Sequence, residues 1–192
     1  RPEGYVKRQV EGWCKRWADA VTPDTINCDS TMQWLHDNMP AQSGKASVIH
    51  NDYKMDNAIF SAENPLNVIG VLDWEMATVG DPLMDLGCTL GYWVETGDPD
   101  FFREYRTMPS DIEGAPTRTE IVARFQEKTG IAVDNFPFYF CFGLFRLAVI
   151  GQQIYYRYYQ GLTKDKRFAM MVKKTHILQQ MCELIMAGEV KT

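Results

Sequence analysis

The sequence predicts an α+β fold that is mostly α-helical and carries one small β element. Three observations point there. Apolar residues recur at helical spacing along most of the chain, and helix-capping signatures punctuate it. Short apolar runs bounded by turn residues are confined to residues 47–72. The 192 residues are the length of one ordinary domain, and 45% hydrophobic against 23% charged residues excludes disordered and fibrous classes.

Each element has a local cause. Val6, Val10, Trp13, Trp17 and Val21 mark an amphipathic helix that ends before Pro23. A second short helix is expected from Ser30 to Asn38, stopping before Pro40, and Ser43-Gly44 breaks the chain. Strands are expected at Ser47–Ile49, Asn57–Phe60 and Val68–Leu72, the last two separated by the turn residues Ala62-Glu63-Asn64-Pro65. Asp81-Pro82 reads as an N-cap followed by a first-turn proline, where no N–H is needed. Thr117 and Glu120 form a capping-box pattern for a helix closed by Gly130. Phe138–Tyr159 reads as a long, largely buried helix, and a last helix aligns Met171, Leu178, Met181, Cys182 and Ile185 on one face.

Composition narrows the function classes. A net charge of −5 has the wrong sign for a protein that neutralises nucleic-acid phosphates. The apolar stretch 136–151 is too short and too interrupted to span a membrane. Five scattered cysteines without a C-x-x-C pair argue against a disulfide framework or a zinc site, and point to reduced thiols in an intracellular, cytoplasmic-type setting.

The polar segment inside the β element carries the chemistry. Residues 50–57 read His-Asn-Asp-Tyr-Lys-Met-Asp-Asn, an H-x-D-x-x-x-x-N pattern, and Asp73 follows Asn57 by sixteen residues. An antiparallel hairpin of 57–61 with 68–72 sets residue 57 near residue 72, so Asn57 and Asp73 converge as Mg²⁺ ligands. Asp52, on the loop entering the hairpin, is placed to accept a proton from a substrate hydroxyl. One base with an amide and a carboxylate on the metal is the equipment of kinase-type phosphoryl transfer.

Val48 to Phe60, with Ile69 to Gly87 (Ile-Gly-Val-Leu-Asp-Trp-Glu-Met-Ala-Thr-Val-Gly-Asp-Pro-Leu-Met-Asp-Leu-Gly), resembles the aminoglycoside phosphotransferase / choline kinase family. More narrowly it resembles the kinase domains fused to acyl-CoA dehydrogenases, a likeness that the opening residues 1–10 extend. The resemblance implies the C-terminal lobe of a protein-kinase-like fold, whose small hairpin carries the catalytic and metal loops. It implies ATP and Mg²⁺ as cofactors, Asp52 as base, Asn57 and Asp73 as metal ligands, and Glu75 as a further one. Ile59 and Leu72 match positions beneath the adenine, and Asp85 matches an acid that braces the catalytic loop. Family members usually have Gly where Asn51 stands; Asn tolerates positive φ, so the loop can keep its shape.

The other candidates have plainer readings. His50 is a loop anchor rather than an acid or base, while His36 and His176 are packing or surface residues. Trp74 packs the metal loop, and Tyr155, Tyr156, Tyr158 and Tyr159 form a helical aromatic cluster. A kinase also needs a Gly-rich loop and a strand lysine, and residues 1–49 contain neither pattern, so the nucleotide-gripping N-terminal lobe is expected to be missing and the fragment inactive alone. The partners expected are therefore that lobe, a nucleotide and a small-molecule hydroxyl substrate. Six carboxylates against two arginines over residues 95–113 would suit a polycationic aminoglycoside; seven cations against one carboxylate over 146–174 would suit a CoA thioester. A pseudokinase-like scaffold is the non-enzymatic alternative, against which the retention of Asp52, Asn57 and Asp73 speaks.

Overall fold

The computed structural model describes residues 3–40 and 44–190. Residues 1 and 2, and Ser43 of the expected chain break, lie outside the described residues. The helices are α1 (Tyr5–Ala18), α2 (Asp29–Asp37), α3 (Pro82–Leu90), α4 (Asp100–Arg103), α5 (Arg118–Thr129), α6 (Phe136–Tyr159) and α7 (Met171–Met186). Four short strands, β1 (Ser47–Ile49), β2 (Ala58–Phe60), β3 (Val68–Val71) and β4 (Thr78–Gly80), pair as two separate antiparallel ribbons, β1 with β4 and β2 with β3.

The core is built around α6, a 24-residue helix that is buried on nearly every face of its first half. Helices apolar all round belong inside, and the run Phe138-Tyr139-Phe140-Cys141-Phe142 leaves no polar stripe for solvent. Helix α3 crosses α6 at backbone contact. A Cβ on Gly87 would lie 2.1 Å from the Tyr139 carbonyl oxygen, and one on Gly143 would lie 2.2 Å from the Gly87 oxygen. Only glycine fits at either position. Helix α7 covers another side of α6 with Leu178, Met181, Cys182 and Ile185. Helix α1 closes the core with Val6, Val10, Trp13 and Trp17. No helix among the described residues is long and apolar enough to cross a membrane.

The capping expectations hold in detail. Asp81 Oδ1 accepts from the Leu83 amide at 3.0 Å, with Pro82 at the first helical position. Thr117 and Glu120 form both halves of a capping box, and Gly130 ends α5 with a φ of 67°. Three details differ from the sequence reading. Helix α1 stops at Ala18, and Val21 is 52% exposed rather than on the core face. The cause is a polar turn around Pro23, where Thr22 and Thr25 bond to each other and Gln152 of α6 donates to Ala20 O and Thr25 Oγ1. Strand β4 is absent from the sequence reading, because Thr78-Val79-Gly80 holds a single apolar side chain and no run to register, and its pairing with β1 makes a second ribbon where one β element was expected. The four-residue α4 escapes notice because it is about one turn long and shows no helical repeat.

Candidate active site

The hairpin has the expected register. Ala58 pairs with Val71 and Ile59 with Gly70, and the Leu72 amide donates to Asn57 O at 2.8 Å. Leu72 therefore stands opposite Asn57, with Asp73 the next residue along. Ile59 pairs with Gly70, two residues before Leu72, so strand alternation sets Ile59 and Leu72 on one face. Ile59 and Leu72 are both exposed, an apolar pair beside the polar one.

Asp52 is held by three donors. Tyr92 donates its hydroxyl to Oδ1 at 2.8 Å, Lys54 Nζ reaches Oδ2 at 2.9 Å, and Asn57 Nδ2 donates to Oδ2 at 3.2 Å. Burial pushes the pKa of the Asp52 carboxyl up, but the Lys54 ammonium and the Tyr92 and Asn57 bonds outweigh it and hold the group below its ordinary value. It is ionised at neutral pH. Burial, and then the Asp52 charge, push the Tyr92 phenol far up, so it remains a donor. A carboxylate offers about four acceptor sites, so three donors leave room for one substrate hydroxyl.

The loop that carries Asp52 is tied down from three sides. Asp85, in the first turn of α3, accepts the His50 and Asn51 amides on its two oxygens, each at 2.8 Å. Arg146 of α6 donates to Asn51 O at 2.6 Å. Asn51 has a φ of 65°, and its side chain donates to Met76 O at 2.9 Å. The left-handed conformation that suits the family's glycine is thus met by an asparagine.

His50 joins the two loops. The Asp52 amide donates to its Nδ1 at 3.2 Å, which leaves Nε2 to donate to Leu72 O at 2.7 Å. Its ring packs 4.7 Å from that of Trp74, whose Nε1 donates to Val71 O. The imidazole is an anchor, with both nitrogens committed to backbone. Asp73 itself is left-handed, with φ 64° and ψ 48°, and begins the short turn Trp74–Met76 that holds Glu75. Asp73 and Glu75 are exposed, and Asn57 is buried. The Asn57 amide nitrogen is taken up by Asp52 O and Oδ2, so its Oδ1 is the end left to meet a cation.

The chain's likenesses bear on this arrangement. A phosphotransferase enzyme family profile matches residues 1–120. The chain belongs to that family. Acyl-CoA dehydrogenase family member 10 of Mus musculus is 33% identical over 94% of this chain, which spans 16% of that protein. Acyl-CoA dehydrogenase family member 11 of Homo sapiens is 32% identical over 82% of this chain, which spans 20% of it. The chain thus spans about a fifth or less of these relatives. A crystal structure from Ralstonia eutropha, provisionally assigned as an aminoglycoside phosphotransferase, superposes with a TM-score of 0.81 at 28% identity. It matches all of this chain and 58% of its own. The mostly helical architecture with small antiparallel ribbons is that of this kinase-like family.

Sequence reasoning missed Tyr92, Lys54 and Arg146 as site residues. Lys54 lies within the quoted motif and carries a signal, two residues after Asp52. Tyr92 and Arg146 lie 40 and 95 residues from their partners, a distance over which spacing says nothing. The two charge runs also change meaning. In the acidic one, Asp98 and Glu95 face the buried Arg118, Asp111 pairs with Arg106 and Arg103, and Glu104 meets Lys173. In the basic one, Arg146 is buried and Arg167 pairs with Asp165. Internal pairing accounts for most of the acidic run, whereas in the basic run it engages Arg167 and Lys173.

Proposed function

We propose that the chain is the catalytic lobe of an ATP- and Mg²⁺-dependent phosphotransferase acting on a small-molecule hydroxyl. The observation that carries this reading is the Asp52 carboxylate, kept ionised and aimed by Tyr92, Lys54 and Asn57, next to a hairpin that sets Asn57 beside the Leu72–Asp73 turn. Asp52 receives the acceptor's proton as its oxygen forms a bond to the γ-phosphorus and the bridging bond to ADP breaks. Asn57 and Asp73 hold the metal, with Glu75 as a third oxygen donor. An amide oxygen and one or two carboxylates form the sparse hard-oxygen set that suits Mg²⁺ with its retained waters. The ion would offset charge on the phosphates. Ile59 and Leu72 form the apolar floor for the adenine.

The acceptor we favour is a hydroxyacyl-CoA-like alcohol rather than an aminoglycoside. Tyr92, which touches Asp52, also lines a cavity of about 140 Å³ walled mainly by Leu147, Ile150, Ile154 and Met171, with Lys174 the one charged residue of its lining. Apolar walls suit an acyl chain and not a polycation. The acid-lined reception that a polycation needs is weakened by the internal pairing of residues 95–113. The phosphate-gripping lobe, with its Gly-rich loop and strand lysine, is supplied from outside these 192 residues, and the chain alone does not turn over ATP.

The test is a Mg²⁺-nucleotide titration of the protein joined to that lobe, with Asp73→Ala as control. Magnesium-dependent binding that the substitution abolishes is the expected result. Binding indifferent to magnesium would favour a pseudokinase-like scaffold, and brisk phosphorylation by the 192-residue chain alone would remove the division into lobes.

A further inference from the structure

A polar cavity of about 370 Å³ lies where α1 meets the catalytic loop and the segment after Asp73. Arg8, Arg16 and Arg146 all line it, with Gln9, Asn51 and Thr78, and no carboxylate does. Arg8 and Arg16 are eight residues apart on α1, roughly two helical turns and about 12 Å. Arg16 and Arg146 both lie over the Trp13 ring, their guanidinium carbons 4.7 and 5.1 Å from its centroid. The ion pairs of the described residues include neither Arg16 nor Arg146. This contrasts with the rest of the molecule, where Arg103, Arg106, Arg118, Arg124 and Arg167 each face an acid.

Arg16 and Arg146, outside those ion pairs, face a void whose lining holds no carboxylate, which makes a local positive field that an anion relieves. Guanidinium forks match the tetrahedral oxygens of phosphate, and the stacking on Trp13 fixes the planes of two of them. The volume is at the small end for ligand pockets and suits one or two phosphate groups rather than a whole nucleotide. Location supplies the role. Asn51, in the cavity wall, is the residue before the base, and Arg146 already bonds its carbonyl.

We propose that this cavity binds phosphate-ester groups of the acceptor, an anionic handle such as the diphosphate of a CoA thioester, while the acceptor's hydroxyl meets Asp52. The assignment to an acceptor rests on the phosphotransferase reading above; the affinity for phosphate does not. Arg8 and Arg16 are exposed positions on α1, so reversing their charge leaves the core intact.

Isothermal titration with inorganic pyrophosphate and with coenzyme A tests the proposal on wild type, Arg8→Glu, Arg16→Glu and the distant control Arg124→Glu. Both probes should bind the wild type and the control, and each cavity variant should weaken both at least tenfold. Coenzyme A binding tighter than pyrophosphate identifies the handle as part of a larger acceptor. Equal affinities overturn the assignment to the acceptor and leave a free-anion site. Affinities unchanged in both cavity variants overturn the site itself. Magnesium-nucleotide binding is measured separately, so the loss of one reading does not carry the other with it.

Discussion

At residue 52 three donors set the charge state, and pH dependence follows from it. The folded carboxyl titrates below its ordinary value, which is about 3.9 in an unstructured chain. Its contribution to stability is therefore fully present above that value and is lost as pH falls through the lower folded one. Activity should show no acidic limb from this group above about pH 5. Replacing it, Asp52→Asn, should lower kcat by about 10²–10⁴-fold, the usual contribution of a general base, and should also lower the melting temperature, because the ionised acceptor of Lys54, Tyr92 and Asn57 is lost. A pH–rate profile of the lobe-complete enzyme checks both. An acidic limb centred near neutrality that disappears in Asp52→Asn would contradict the ionised base.

Among the elements, the α3–α6 crossing is the most demanding. The overlap at Gly87 and Gly143 is with backbone, which cannot rotate away as a side chain can. Gly87→Ala should cost at least about 3 kcal/mol, the upper end for overpacking, whereas Gly97→Ala, with no atom within 4 Å of the added carbon, should be near neutral. Urea unfolding of the two variants compares them directly. Legibility divides along the same line. Features caused by neighbours in sequence, such as the Asp81 cap, the Thr117–Glu120 box and the β2–β3 register, could be read before any coordinates. For Asn51 the sequence offered only tolerance of a positive φ, through the glycine usual in the family it resembles. Features caused by distant partners could not: the two facing glycines, Tyr92 on Asp52, and Arg118 between Asp98 and the Phe140 ring. The Arg118 case also shows how a charge run misleads, since its principal counter-ion lies outside the window that made residues 95–113 look like a receptor for cations.

For the whole molecule, the site and the core are one mechanical unit. Arg146 sits mid-way along the most buried helix and bonds the carbonyl of Asn51, while Asp85, whose own helix is pinned at Gly87, holds the two loop amides. The segment bearing Asp52 thus lacks an opening motion cheaper than unfolding α3 or α6. Native-state hydrogen exchange puts a number on this: the amides of His50 and Asn51 should exchange as slowly as those of α6, and fast exchange there would show a separately mobile loop. Slow exchange has a consequence for how such an enzyme ages. Heat or a destabilising change anywhere in the helical core would remove activity and structure at the same temperature, with no intermediate that is folded yet catalytically loose.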